Sequence, residues 1–212
     1  MAIIRVCFVG DSITLGTTDE ELMGWPGRLC RRAWAEGHDV TLYNLGIRAD
    51  TSALIQQRWR AECAARLPDH IPGRIVFAFG VNDTAIEANG QLRVPQERSV
   101  AIARAMLTEA KSWKPTLWIG PAPVRKSGQR VTPAAGVSYD FRNERIEALD
   151  RAYQALAGEL GVPYLPLYAR LIDDDAWHNA VAAGDGVHTA GVGYALIARI
   201  VADWPGWKAW LA

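Results

Sequence analysis

Short apolar runs alternate along this chain with longer stretches whose apolar residues recur every three or four positions. This is the pattern of buried strands separated by amphipathic helices. Ile3 to Val9 reads as a buried strand ending at Gly10-Asp11-Ser12. A helix from Trp25 to Glu36 follows, with Pro26 tolerated in its first turn and Gly37 at its end. Val40 to Leu45 and Thr51 to Arg66 form the second strand and helix, and Arg74 to Phe79 and Pro95 to Trp113 the third pair. Thr116 to Gly120 is a fourth strand, Ser138 to Leu160 a long helix closed by Gly161, Val162 to Leu165 a fifth strand, and Ala190 to Ala202 the last helix.

Strands separated by helices of this length make βαβ units, and near-continuous apolar strands suit a parallel sheet covered on both faces. The pattern therefore predicts one α/β domain spanning residues 1–212. It should have three layers, α/β/α, around a flavodoxin-like five-stranded parallel sheet of order 2-1-3-4-5. Thr84–Val94 and Pro121–Val137 fit neither period. Both follow strand ends, where such folds place functional loops.

Composition changes this picture little, but it narrows the partners. Lys plus Arg and Asp plus Glu each total 23, so the formal net charge is zero. That balance argues against a binder of nucleic acid or anionic membrane that works through bulk charge. Cys7, Cys30 and Cys63 lie in apolar or helical contexts and read as free buried thiols, which suits a reducing compartment. Met1 to Val6 has neither a basic n-region nor a long apolar run. No segment approaches the roughly 18 apolar residues of a membrane span. A soluble, cytoplasmic protein is the expectation.

Polar residues gather where the strands end: Gly10-Asp11-Ser12-Ile13-Thr14 after the first, Asn44-Leu45-Gly46-Ile47-Arg48 after the second, and Gly80-Val81-Asn82-Asp83 after the third. In the order 2-1-3-4-5 these ends are neighbours, roughly 5 Å apart, at the switch point where open α/β sheets bind ligands. Gly10-Asp11-Ser12-Ile13 resembles the first block of the GDSL-type esterases and lipases (SGNH hydrolases), with Ile in place of Leu. Gly46 resembles the second block, Gly80-Val81-Asn82-Asp83 the third and Asp185-Gly186-Val187-His188 the last. Each block alone is a weak signal, but four in order from residue 10 to residue 188 are a strong one. Thr189 departs from the pattern, standing where many relatives have proline.

The resemblance implies a serine hydrolase that cleaves carboxylic esters through an acyl-serine intermediate. Ser12 would be the nucleophile and His188 the base that activates its hydroxyl, with Asp185 holding the imidazole. The oxyanion donors would be the N–H groups of Ser12 and Gly46 and the side-chain amide of Asn82. This chemistry requires no metal or organic cofactor. Short acyl or O-acetyl esters are the expected substrates.

Each residue also has a plainer reading. Ser12 could cap a helix, Asn82 and Asp83 could be turn residues, and Gly46 could simply end a strand. The run Asp173-Asp174-Asp175-Ala176-Trp177-His178 reads as a solvated loop or helix cap rather than a metal site. Thr14, Trp25, Arg48, Asp50 and Val187 flank the blocks and are candidates for the substrate pocket. Arg48 would hold a carboxylate or phosphate, or else pair with Asp50. Val124 to Val137 reads as a lid or an oligomer contact. The tail Trp204 to Trp210 either packs on the domain or forms a subunit interface, leaving a homo-oligomer open. The competing class is a non-catalytic, flavodoxin-like module holding a small ligand or phosphate on the Gly10-Asp11-Ser12 turn. Asp11 would repel such an anion.

Overall fold

The computed structural model describes residues 1–212. Strand β1 (Ile3–Gly10) leads into a one-turn helix α1 (Ser12–Leu15) and then α2 (Gly24–Ala35). It is followed by β2 (Asp39–Gly46), α3 (Ser52–Ala64), β3 (Gly73–Ala78), a 3₁₀ turn at Asn82–Thr84 and the short β4 (Ile86–Glu87). Next come α4 (Gln96–Trp113), β5 (Thr116–Ile119), β6 (Gln129–Ala134), β7 (Val137–Phe141) and α5 (Asn143–Leu160). The chain ends with β8 (Tyr164–Leu165), α6 (Leu167–Leu171), α7 (Asp175–Ala183), α8 (Gly191–Asp203) and α9 (Pro205–Leu211).

The main sheet has the order β2-β1-β3-β5-β8 with every pairing parallel. Counting only its five strands, this is the expected 2-1-3-4-5. Side chains along β1 alternate between its two faces. Ile4, Val6 and Phe8 pack with Trp25, Leu29, Tyr194 and Ile197 of α2 and α8 on one side. Cys7 and Val9 pack with Trp59, Met106 and Tyr153 of α3, α4 and α5 on the other. The three layers thus follow from a period of two in the strands and of 3.6 in the helices that cover them. The register sets Gly10 beside both Gly46 and Ala78, so the carboxyl ends of β2, β1 and β3 finish level with one another.

One predicted element divides. Ser138 to Leu160 is not a single helix: residues 137–141 form β7, which pairs antiparallel with β6 and β4 in a separate three-stranded sheet. Tyr139 and Phe141 alternate with polar Ser138 and Asp140, a period of two that a helical reading overlooks. The helix starts only at Asn143, after Arg142 in extended conformation, and the Asn143 side chain bonds both N–H and C=O of Val124. The tail packs on its own domain: Trp207 is buried in the core against Phe8, and Trp210 lies tilted beside it with ring centroids 6.0 Å apart. All three cysteines are buried and free. No helix is long and apolar enough to cross a membrane.

Candidate active site

Ser12 is the first residue of α1, in the sharp turn that leaves β1. Asp11 caps this helix, its Oδ1 accepting from the Ile13 N–H at 2.9 Å. Gly10 is required by the close approach, because a Cβ there would lie 2.2 Å from the Ala78 carbonyl oxygen. The His188 Nε2 stands 2.7 Å from Ser12 Oγ, and its Nδ1 stands 2.7 Å from Asp185 Oδ2. The other Asp185 oxygen accepts from the N–H groups of Val187 (2.9 Å) and His188 (2.7 Å). The carboxylate therefore fixes both the backbone and the ring of the histidine it serves. Burial raises its pKa, but the hydrogen bonds from His188 and Val187 and the charge of the histidine outweigh burial and hold it at about 2. It stays ionised at any pH where a neutral imidazole acts as base.

Asn82 begins the 3₁₀ turn after β3. Its Nδ2 lies 3.4 Å from Asp11 Oδ2, and its Oδ1 accepts from Arg93 Nη1 at 3.3 Å. The contact from Arg93 determines which way the amide faces, with nitrogen toward Asp11 and the catalytic turn. Arg93 also lies 4.6 Å over the Tyr139 ring and pairs with Glu87 at 3.8 Å. Asp83 faces away from the serine: it accepts the Ser52 N–H at 2.7 Å and the Ser99 hydroxyl, tying the turn to α3 and α4. Burial pushes Asp11 up to about 6, against the hydrogen bond from Ile13 and the charge of His188.

Four sequence candidates lie elsewhere. Gly46 ends β2 and is not on the cleft. A Cβ there would lie 2.3 Å from Leu15 N, and its own N–H donates to Asn44 Oδ1 at 3.0 Å. Its glycine is demanded by packing against α1, not by room for an acyl group. Arg48 and Ala49 of this strand end both line the cleft with unengaged N–H groups, and Ala49 is held at a left-handed φ of 63°. Nothing in the sequence marks an alanine for that conformation. Thr14 is wholly buried and donates to the Ala78 carbonyl at 3.2 Å. Trp25 is buried in the core, edge-on to Phe8 at 5.3 Å. Asp50 is held by Arg58 at 2.7 Å, while Arg58 also donates to the Leu45 and Gly10 carbonyls and so ties two strand ends together.

Arg48 and Val187 do line the cleft, with Ser12, Asn82, Asp185 and His188, around a volume of about 450 Å³. The opposite wall comes from the segment read as a lid or an oligomer contact, through Gln129, Arg130, Val131, Thr132 and Pro133 of β6, joined by Tyr139 and Phe141 of β7, which the sequence did not mark. The hairpin is anchored at its base to the catalytic loop, where Arg125 N–H donates to the Gly186 carbonyl at 2.9 Å. In the acidic run, Asp174 caps α7 through Trp177 N–H, and His178 Nε2 bonds the Ile172 carbonyl.

Comparisons with known proteins agree with this fold. The lipase/acylhydrolase from Enterococcus faecalis shares the fold at a TM-score of 0.73 and 22% identity, over 95% of this chain and 94% of that one. The acetyl xylan esterase AlAXEase superposes with a TM-score of 0.73 at 18% identity, over 97% and 98% of the two chains. TesA does so with a TM-score of 0.69 at 23% identity, over 97% and 99%. No curated protein matches the sequence. Residues 8–196 match the GDSL-like Lipase/Acylhydrolase family, which spans both the nucleophile turn and the histidine loop. The chain belongs to that family and is a carboxylic-ester hydrolase.

Proposed function

We propose that this hydrolase cleaves small carboxylic esters, short-chain acyl or O-acetyl, through an acyl-serine intermediate. The observation that carries the reading is the unbroken chain Asp185–His188–Ser12, with 2.7 Å at each contact. Ser12 Oγ attacks the ester carbonyl as His188 Nε2 takes its proton, and Asp185 stabilises the imidazolium. The imidazolium then protonates the departing alkoxide, leaving Ser12 acylated. Water, deprotonated by the same nitrogen, attacks the acyl carbon and releases the acid.

The oxyanion of each tetrahedral intermediate needs donors aimed at it. The Ser12 N–H, at the first position of α1, has no intrahelical acceptor. The Asn82 amide supplies a second donor. Ala49 N–H, in the place first assigned to Gly46, supplies the third. A cleft of about 450 Å³ whose hairpin wall mixes Gln129, Arg130 and Thr132 with apolar residues suits a short acyl group better than a long alkyl chain. A phosphate-binding role for the turn loses its support, because the buried Asp11 carboxyl already occupies the Ile13 N–H that would cradle the anion.

The test is hydrolysis of p-nitrophenyl esters from acetate to decanoate by wild type and Ser12→Ala. The expected result is fast release of acetate to butyrate, falling for longer chains, and near-background rates in the variant. Equal rates in the two folded proteins would remove Ser12 from the mechanism.

A further inference from the structure

We infer that Arg48 and Arg130 form an anion subsite in the cleft, and that the preferred esters carry a carboxylate, phosphate or sulfate near the scissile bond. This rests on the hydrolase reading above and adds a substrate class to it. Both arginines line the volume that holds Ser12 and His188, Arg48 from the loop after β2 and Arg130 from β6.

Neither guanidinium makes an ion pair with any carboxylate of the chain, although each has an obvious candidate. Arg48 is two residues from Asp50, but that carboxylate is held by Arg58 at 2.7 Å. Arg130 sits directly opposite Asp140 in the β6–β7 ladder, at the spacing where opposite charges normally pair. Asp140 is instead shared by Arg142 at 3.1 Å and Arg145 at 3.2 Å, which hold its carboxyl below the usual range despite the opposing effect of burial.

The cleft contains only two carboxylates, and both are engaged. Asp185 accepts three hydrogen bonds within the catalytic loop, and Asp11 is buried beneath the serine turn. Two cations without an ion-pair partner thus border a space also lined by apolar Ile13, Val81, Val131 and Val187, by Gln129 and Thr132, and by the catalytic polar groups. In a chain of zero net charge, this is a local field rather than a bulk one, and it draws anions toward the nucleophile. A planar guanidinium fork is also the side chain best matched to carboxylate and phosphate oxygens.

Two matched ester pairs locate the charge. Mono-4-nitrophenyl glutarate against 4-nitrophenyl pentanoate places the anion on the acyl side, and 4-acetoxybenzoate against 4-acetoxybenzamide places it on the leaving group. Rates are divided by those of hydroxide for each ester. The expected result is an anionic-to-neutral ratio of kcat/KM of about tenfold or more in at least one pair. That ratio should fall toward one in Arg48→Gln/Arg130→Gln and shrink as salt rises. Ratios near one in both pairs for wild type, with Ser12-dependent turnover of the neutral esters, would overturn the subsite and leave the hydrolase intact.

Calorimetric titration of glutarate into Ser12→Ala reads the same subsite without any turnover. Binding that Arg48→Gln/Arg130→Gln abolishes supports the inference even if no ester is cleaved, and binding that survives the double change overturns it.

Discussion

One wall of the cleft is made by the level ends of β1, β2 and β3, the other by the β6–β7 hairpin. The first is rooted in a sheet buried on both faces, where Gly10 and Gly46 pack so closely that a single added Cβ would strike backbone. The hairpin is largely exposed, joined to the catalytic loop mainly at its base, and its edge strand β6 carries Pro133. The proposed nucleophile and Asn82, which must hold position to within a fraction of an ångström, sit on the rigid wall, and Asp185 and His188 reach the serine from the loop between α7 and α8. The residues that face the rest of the substrate sit on the wall that can vary without unfolding the domain. Arg93 joins the two, bonding Asn82 on one side and stacking over Tyr139 on the other.

Changes to the groups around Ser12 should therefore strike kcat and changes at the junction less so. Asp185→Asn should lower kcat by less than the about 10⁴ seen for the corresponding change in serine proteases. Here two backbone N–H groups also position the carboxylate, and an asparagine oxygen can still accept them. A loss beyond that figure, in steady-state kinetics, would mean that charge rather than orientation dominates. Asn82→Ala should cost about 10²–10³ in kcat with little change in KM, as for loss of one oxyanion donor. A rise in KM alone would make Asn82 a binding residue instead.

Asp11 tests how far the rigid wall is strained by its own chemistry. Its pKa is raised from 3.8 to about 6, so the folded protein binds this proton more tightly than the unfolded chain does. Stability contributed by the neutral form is present below about pH 4 and is lost as pH rises through about 6. Asp11→Asn, whose side-chain oxygen can still cap Ile13, should gain stability relative to wild type over that window, by at most about 3 kcal/mol. Denaturant melts at pH 4 and pH 7 check it, and a gap that does not widen with pH would contradict the burial argument.

Arg93→Gln should lower kcat about tenfold, less than the 10² that a 1 Å misplacement of a catalytic group can cost. In the Asn82→Ala background the same change should do little, because Arg93 acts through the Asn82 amide. Additive losses would show that the walls are not coupled there. Trp25→Phe should leave the acyl-chain profile unchanged, since the indole lies in the core and not in the cleft.

The same division decided what could be read in the sequence. The strands of the main sheet announce themselves as apolar runs because both faces are covered, and their order follows from the βαβ connections. Ser12, Asn82, Asp185 and His188 stand in short polar blocks at strand or helix ends, where residue type and place agree. Gly46 was misleading for a physical reason: glycine signals close approach of backbone, but not to what. Here it approaches α1, while Ala49 adopts the left-handed turn without a glycine to mark it. Thr14 adjoins the nucleophile turn in sequence and Trp25 opens the helix that follows, yet both are buried in the layers beneath it. The hairpin was legible only as a functional loop, because its exposed strand Gln129–Ala134 buries no regular face and the helical period of α5 absorbed Ser138–Phe141.

The central claim is that Ser12, activated by His188, becomes covalently acylated. The most direct measurement is intact-protein mass after reaction with diethyl 4-nitrophenyl phosphate, followed by peptide mapping. One diethylphosphoryl group on Ser12 in wild type, and none in Ser12→Ala or after His188→Ala, is the expected result. An unlabelled wild-type protein, or label on another residue with Ser12 free, would contradict it.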